Sequence, residues 1–193
     1  MSFGYAEEQQ CISDAILDVL NYRRGSILFF AAASNFGSNQ MEMFPASHDS
    51  VISIRATNAN GHFEDFNPPR NDNETVTFGT LGLKVPGAWL SNHNGEKCQT
   101  GTSVAAAIAA GIAALLLGYV NNRTEIGYFS ESLLQDVKRR AQTQRGMLAL
   151  FKALSMPTLN EHYLYLTPWR LADIPEDERW MIIAGALGNS RIM

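Results

Sequence analysis

Residues 101–111 read Gly101-Thr102-Ser103-Val104-Ala105-Ala106-Ala107-Ile108-Ala109-Ala110-Gly111, and their reading decides the fold. A hydroxyl pair stands where a loop turns into a helix built almost wholly of small apolar residues. Gly101 lacks a Cβ and admits another backbone at close range. Thr102 is expected to be the N-cap, which puts Ser103 in the first turn. There, unpaired N–H groups and the positive end of the helix dipole favour developing negative charge. That suits a nucleophile whose reaction creates an oxyanion. Taken alone, the tripeptide is also an ordinary capping sequence.

Residues 98–122 carry no charge. Their convincingly apolar part, residues 104–120, is short of the roughly 20 residues that a bilayer crossing takes. A helix at the centre of an α/β domain fits better than a membrane span.

Upstream, Ile12, Ala15, Ile16, Val19 and Leu20 recur at helical spacing, and Arg23-Arg24-Gly25 closes that helix. Residues 26–33 form an apolar run of strand length, ending in Ser34-Asn35-Phe36-Gly37. Met1-Ser2-Phe3-Gly4 reads as the end of a strand. Strand, helix, strand predicts a βαβ unit in a parallel sheet, with sites at the carboxyl ends of the strands.

Residues 51–56 form another strand, after a turn at Phe44-Pro45-Ala46-Ser47. Residues 58–70 read as a surface loop, and residues 75–83 contain a short strand. Lys84-Val85-Pro86-Gly87-Ala88 reads as a strand end and a turn, and residues 91–99 as a polar loop. Beyond Asn121-Asn122 the chain becomes more charged. It predicts helices over 132–140, 145–154 and 175–187, with an extended piece at 163–166.

A chain of 193 residues, 46% hydrophobic, fits one domain with a small appendage. A net charge of −4 suggests neither nucleic acid nor an anionic membrane as a partner. Two cysteines, Cys11 and Cys98, make no disulfide framework and favour a reducing compartment. Residues 1–23 have no basic segment followed by an apolar one, so no secretory leader is expected. No residue cluster suggests a metal or a cofactor.

Four collinear blocks resemble the subtilisin-like serine peptidases, the subtilases, and the intracellular fungal-type members in particular. They are Met1-Ser2-Phe3-Gly4, residues 30–37 with Asn35, Val85-Pro86-Gly87, and residues 101–111 with Ser103. The resemblance implies Ser103 as nucleophile and Asn35 as the side-chain donor to the oxyanion. It implies that Ser2, Phe3 and Gly4 pair with an extended peptide or protein substrate. Ala32, Ala33 and Ser34 would line the opposite wall of the pocket, with Gly101 and Thr102 also binding substrate beside the nucleophile. Three positions depart from the family pattern. Ser34 stands where members have Gly, and Ala106-Ala107 replace the usual Ser/Thr-Pro.

The same resemblance implies Asp and His blocks upstream of Met1-Ser2-Phe3-Gly4. A serine needs an adjacent base. His48, His62, His93 and His162 stand outside any matching histidine motif and read as loop residues. Glu42, Asp49 and Asp65 read as solvated carboxylates.

The expectation is therefore an α/β fold with a parallel sheet and helices on both faces, truncated at its N-terminal side. Residues 1–120 would be the C-terminal half of a subtilase peptidase domain, and residues 121–193 a helical extension. The function implied is serine endopeptidase, inactive in this form unless a missing N-terminal half is supplied. The rival is a non-catalytic pseudopeptidase that binds peptide.

Overall fold

The computed structural model describes residues 1–70, 76–88, 96–124 and 130–189. The element order is α1 (Gln10–Tyr22), β1 (Phe29–Ala32), β2 (Val51–Thr57), β3 (Thr77–Leu81), β4 (Val85–Ala88), β5 (Glu96–Gln99), α2 (Thr102–Asn121), α3 (Glu131–Ala141), α4 (Gln144–Ala153), β6 (Ser155–Pro157), β7 (Tyr163–Leu166), α5 (Trp169–Ala172) and α6 (Glu176–Asn189).

Five strands form the main sheet in the order β1-β2-β3-β7-β6. β1, β2, β3 and β7 run parallel, and β6 closes the edge antiparallel to β7. The expected βαβ unit is present in outline. The Met1 amino group donates to Phe30 O, and Ala32 N–H donates to Met1 O at 3.0 Å. This pair brackets Ala31 as a parallel ladder would. The chain then leaves the sheet, so the strand end expected over Ser2-Phe3-Gly4 is not laddered.

Alternation along the strands sorts the core into two layers. Ala32, Ile52, Ile54, Ala56 and Phe78 point to the face that carries α2, α3, α4 and α6. Ala31 and Val51 point to the other face, where Ile16 of α1 covers them. β2 is buried on both sides, Ile52, Ile54 and Ala56 on the α2 face, while Arg55 and Thr57 are buried polar residues.

The stripe expected on α1 is narrower in the fold. Ile12, Ile16 and Leu20 pack against the sheet, while Ala15 and Val19 stay exposed. The helix stops where Arg24 and Gly25 take left-handed angles, φ 52° and 74°, and Gly25 N–H donates back to Leu20 O at 2.8 Å.

α2 is long and apolar enough to cross a membrane by length and composition. It lies instead against the sheet through Ala105, Ala106, Ala109, Ile112, Ala113, Leu116 and Val120. Its alanines let the helix approach the strands closely. Ala107, Gly111, Ala114 and Leu115 face outward, so this helix is buried on one side rather than all round.

The segment beyond residue 120 is mainly helical, as expected. Ser130 and Thr143 cap α3 and α4 by accepting from Leu133 N–H and Gly146 N–H. It also gives β6 and β7 to the main sheet, and its Phe151, Trp180 and Leu187 share the α2-side core. Two local expectations are corrected. Residues 96–99 are not loop but β5, which pairs with β4 in a separate two-stranded sheet, and α5 was not anticipated. Residues 91–95, His93 among them, lie outside the described residues.

Candidate active site

Two loops meet at the carboxyl ends of the parallel strands. One leaves β1 through Ala33, Ser34 and Asn35. The other leaves β5 through Thr100 and Gly101 and enters α2. Gly82, just past β3, ties them to the sheet. Its N–H donates to Thr57 O at 2.9 Å, and its carbonyl accepts from Gly101 N–H at 2.8 Å. A Cβ on Gly82 would stand 2.6 Å from Ala56 Cβ and 2.9 Å from Gly101 O, so the approach requires glycine.

The N-cap of α2 is Gly101, not Thr102. At φ 144° and ψ 165°, Gly101 occupies a region that side-chain-bearing residues avoid. Thr102 is the first helical residue and is fully buried, with Ser103 second. The first helical N–H groups have no acceptor within the helix. A side chain from the other loop fills one vacancy. Asn35 Oδ1 accepts from Thr102 N–H at 2.9 Å and from Thr102 Oγ1 at 3.1 Å.

This pair of bonds settles the orientation of the Asn35 amide, because an N–H can donate only to the oxygen. The Asn35 Nδ2 group is left without an acceptor among the described residues, and so is the Ser103 N–H. A Cβ on Gly101 would come within 3.0 Å of Nδ2. Gly101→Ala is therefore expected to cost about 1–3 kcal/mol from backbone strain alone and to displace the Asn35 amide. Chemical denaturation checks this, and a loss below about 0.5 kcal/mol would mean that the loop relaxes freely.

Of the other expected site residues, Ser2, Phe3 and Gly4 are exposed, and none of their backbone groups is hydrogen-bonded among the described residues. Ala32, Ala33 and Ser34 are buried. Ala33 N–H donates to Ile54 O, and Ser34 Oγ accepts from Phe36 N–H. Ser34 has φ 157°, at the edge of the glycine region.

Ser103 is half-buried, and no histidine among the described residues is hydrogen-bonded to it. His48 Nδ1 instead accepts from Ser50 N–H, His62 is exposed, and His162 lies 3.9 Å from Glu161. Glu42 is not a solvated carboxylate, as the sequence suggested. It accepts from the Ser53 hydroxyl and pairs at 3.5 Å with Arg55, which is fully buried. Sequence reasoning also missed the role of Thr102 as the anchor of Asn35. The signal was present only as a hydroxyl next to the candidate serine.

The model of the Subtilase family matches residues 1–155. The chain belongs to the subtilase family.

Two curated proteins are similar to this subtilase. The minor extracellular protease Epr of Bacillus subtilis (strain 168) is 28% identical over 116 residues, 60% of this chain and 17% of that protein. Proprotein convertase subtilisin/kexin type 9 of Rattus norvegicus is 29% identical over 168 residues, 79% of this chain and 20% of that protein. The subtilase thus spans about a fifth of the curated relatives it matches.

Among solved structures, the self-cleaved protease domain of PatA superposes with a TM-score of 0.64 at 22% identity, covering 96% of this chain and 61% of that one. The PatG macrocyclase in complex with peptide gives 0.54 at 22% identity, covering 70% and 40%. At these identities the likeness establishes the α/β fold. The family match covers residues 1–155 of this chain.

Proposed function

We propose that this chain carries the nucleophile and oxyanion side of a serine endopeptidase, acting on extended peptide or protein. Ser103 attacks the carbonyl carbon of the scissile bond. The carbonyl oxygen, as it gains charge, accepts from Asn35 Nδ2 and from the Ser103 N–H at the positive end of α2. The backbone of Ser2, Phe3 and Gly4, without hydrogen-bond partners among the described residues, takes the substrate as an added strand, against the wall of Ala32, Ala33 and Ser34.

One observation carries this reading. The Asn35 oxygen is locked onto Thr102, which leaves the amide nitrogen of this exposed side chain a fixed donor without an acceptor among the described residues. A residue kept only to cap α2 would need the oxygen alone, and an aspartate would do that as well.

The base that takes the Ser103 proton comes, in this reading, from Asp and His blocks outside the described residues. The placement with intracellular, fungal-type members rests on the sequence blocks and on Cys11 and Cys98, both free and exposed.

A fluorophosphonate probe tests the assignment. The 193-residue chain is expected to label no faster than its Ser103→Ala variant. A form carrying the Asp and His blocks is expected to label rapidly, and only through Ser103. Rapid labelling of the 193-residue chain at Ser103 would assign the base to one of its own histidines. Failure of the longer form to label would favour the second reading, a pseudopeptidase that binds peptide. The absence of a histidine bonded to Ser103 among the described residues speaks for that reading.

A further inference from the structure

We propose that Thr100 is a positioning residue for the oxyanion donors. By holding the Lys84 N–H, its hydroxyl fixes where the β4–β5 ribbon joins α2, and through Gly101 and Thr102 it sets the Asn35 amide. The inference rests on the function proposed above and adds a residue outside the site already described.

The β4–β5 ladder runs outward from Val85, which stands opposite Gln99. The pair at its base, Lys84 and Thr100, is joined by a side chain. Lys84 N–H donates to Thr100 Oγ1 at 3.0 Å. Lys84 stands at φ 52°, in the left-handed region that side-chain-bearing residues seldom adopt. Two residues earlier, Gly82 O accepts from Gly101 N–H at 2.8 Å. Segments 82–84 and 100–101 are thus clamped at two successive points. β2 anchors the clamp, since Gly82 N–H donates to Thr57 O at 2.9 Å.

Thr102, whose N–H and Oγ1 hold Asn35 Oδ1, comes directly after the clamp, with Gly101 as the joint. Glycine is the residue whose dihedral angles are least fixed by its own structure. Gly101 therefore keeps φ 144° and ψ 165° because its neighbours hold it. On one side stands α2. On the other, the peptide unit that enters Gly101 is held at both ends, by Gly82 O at its N–H and by Lys84 at the Thr100 side chain. With the Gly82 bond alone, that peptide unit could pivot about a single contact. The Thr100 bond removes the pivot.

Thr100 is exposed, so water can replace its hydroxyl as the partner of Lys84 N–H. An exposed hydrogen bond adds little net stability. Its loss is read in the placement of Asn35 and not in the unfolding free energy, which separates a positioning role from a structural one. Misplacing a group at the reacting centre by about 1 Å can cost roughly 100-fold in rate.

Two measurements test this. On the 193-residue chain, heteronuclear NMR follows the Asn35 side-chain amide and the exchange of Thr102 N–H. Thr100→Val and Thr100→Ala are expected to shift the Asn35 amide resonances and to speed Thr102 N–H exchange by about threefold or more. Thr100→Ser, which keeps the hydroxyl, is expected to match the wild-type chain. So is Cys98→Ser, at an exposed position on the same ribbon. In a form carrying the Asp and His blocks, Thr100→Val is expected to lower kcat by roughly 10- to 100-fold, with KM changed by less than about threefold. Thr100→Ser is expected to restore kcat.

Wild-type Asn35 and Thr102 signals in both Thr100→Val and Thr100→Ala would overturn the positioning role, as would an unchanged kcat in Thr100→Val. A longer form that is inactive even with Thr100 in place, alongside shifted Asn35 signals in Thr100→Val, would overturn the endopeptidase reading and uphold Thr100 as the residue that sets Asn35.

Discussion

Phe151→Ala is expected to lower the unfolding free energy by about 3–5 kcal/mol, measured by urea or guanidinium denaturation. Phe151, on α4, is completely buried. Its ring lies 6.0 Å from that of Phe30 on β1 and 5.7 Å from that of Phe78 on β3. One side chain from beyond residue 120 thus fills the space over two strands from before it. The loss combines burial forfeited by the phenyl ring with a cavity that the neighbouring rings only partly close.

The unfolding curve is also expected to remain a single transition, coincident by far-UV and near-UV circular dichroism. Two transitions, with only one shifted, would make the segment beyond 120 an independent unit. Leu115→Ala, at a side chain 74% exposed on α2, is the control. It is expected to stay within about 0.5 kcal/mol.

The second large effect concerns Asn35. In a form of the protein that supplies the base, Asn35→Leu is expected to lower kcat by roughly 100- to 1000-fold, the loss typical of removing one oxyanion donor from a peptidase of this family. KM is expected to change little, because the negative oxygen exists only in the transition state and the tetrahedral intermediate.

Leucine also strips Thr102 N–H of its acceptor, so Asn35→Leu carries a stability cost of about 1–3 kcal/mol. Asn35→Asp separates the two roles. Its carboxylate still accepts from Thr102 N–H and Oγ1, but it offers no donor and places negative charge beside the developing oxyanion. The variant is expected to fold and to lose kcat at least as severely. An Asn35→Asp enzyme with ordinary kcat would remove Asn35 from the oxyanion hole and leave it as a cap for α2.

Much of the fold was legible in local pattern. The spacing of Ile12, Ala15, Ile16, Val19 and Leu20 marked α1, although Ala15 and Val19 prove exposed, and Arg23-Arg24-Gly25 marked its end. Residues 51–56 marked a strand, and the small apolar residues after Ser103 marked a helix of an α/β domain rather than a membrane span. These features are short-range, because periodicity and turn chemistry act over a few residues. Asn35 and Ser103 were singled out by resemblance of their blocks, and no spacing in the chain would have joined them.

What the sequence by itself determined, then, is most of the succession of helices and strands, β5 and α5 excepted, and the candidate residues at their ends. Tertiary structure alone decided which residue caps α2 and which way the Asn35 amide faces. Thr102 has the composition of an N-cap, yet the cap is Gly101, because a loop 67 residues away in sequence supplies the acceptor that Thr102 N–H needs. Glu42 reads as a surface carboxylate until the fold sets it beside Arg55. Each of these outcomes depends on a partner distant along the chain. The energy of a hydrogen bond or a close contact depends on separation in space, and local pattern carries no record of it.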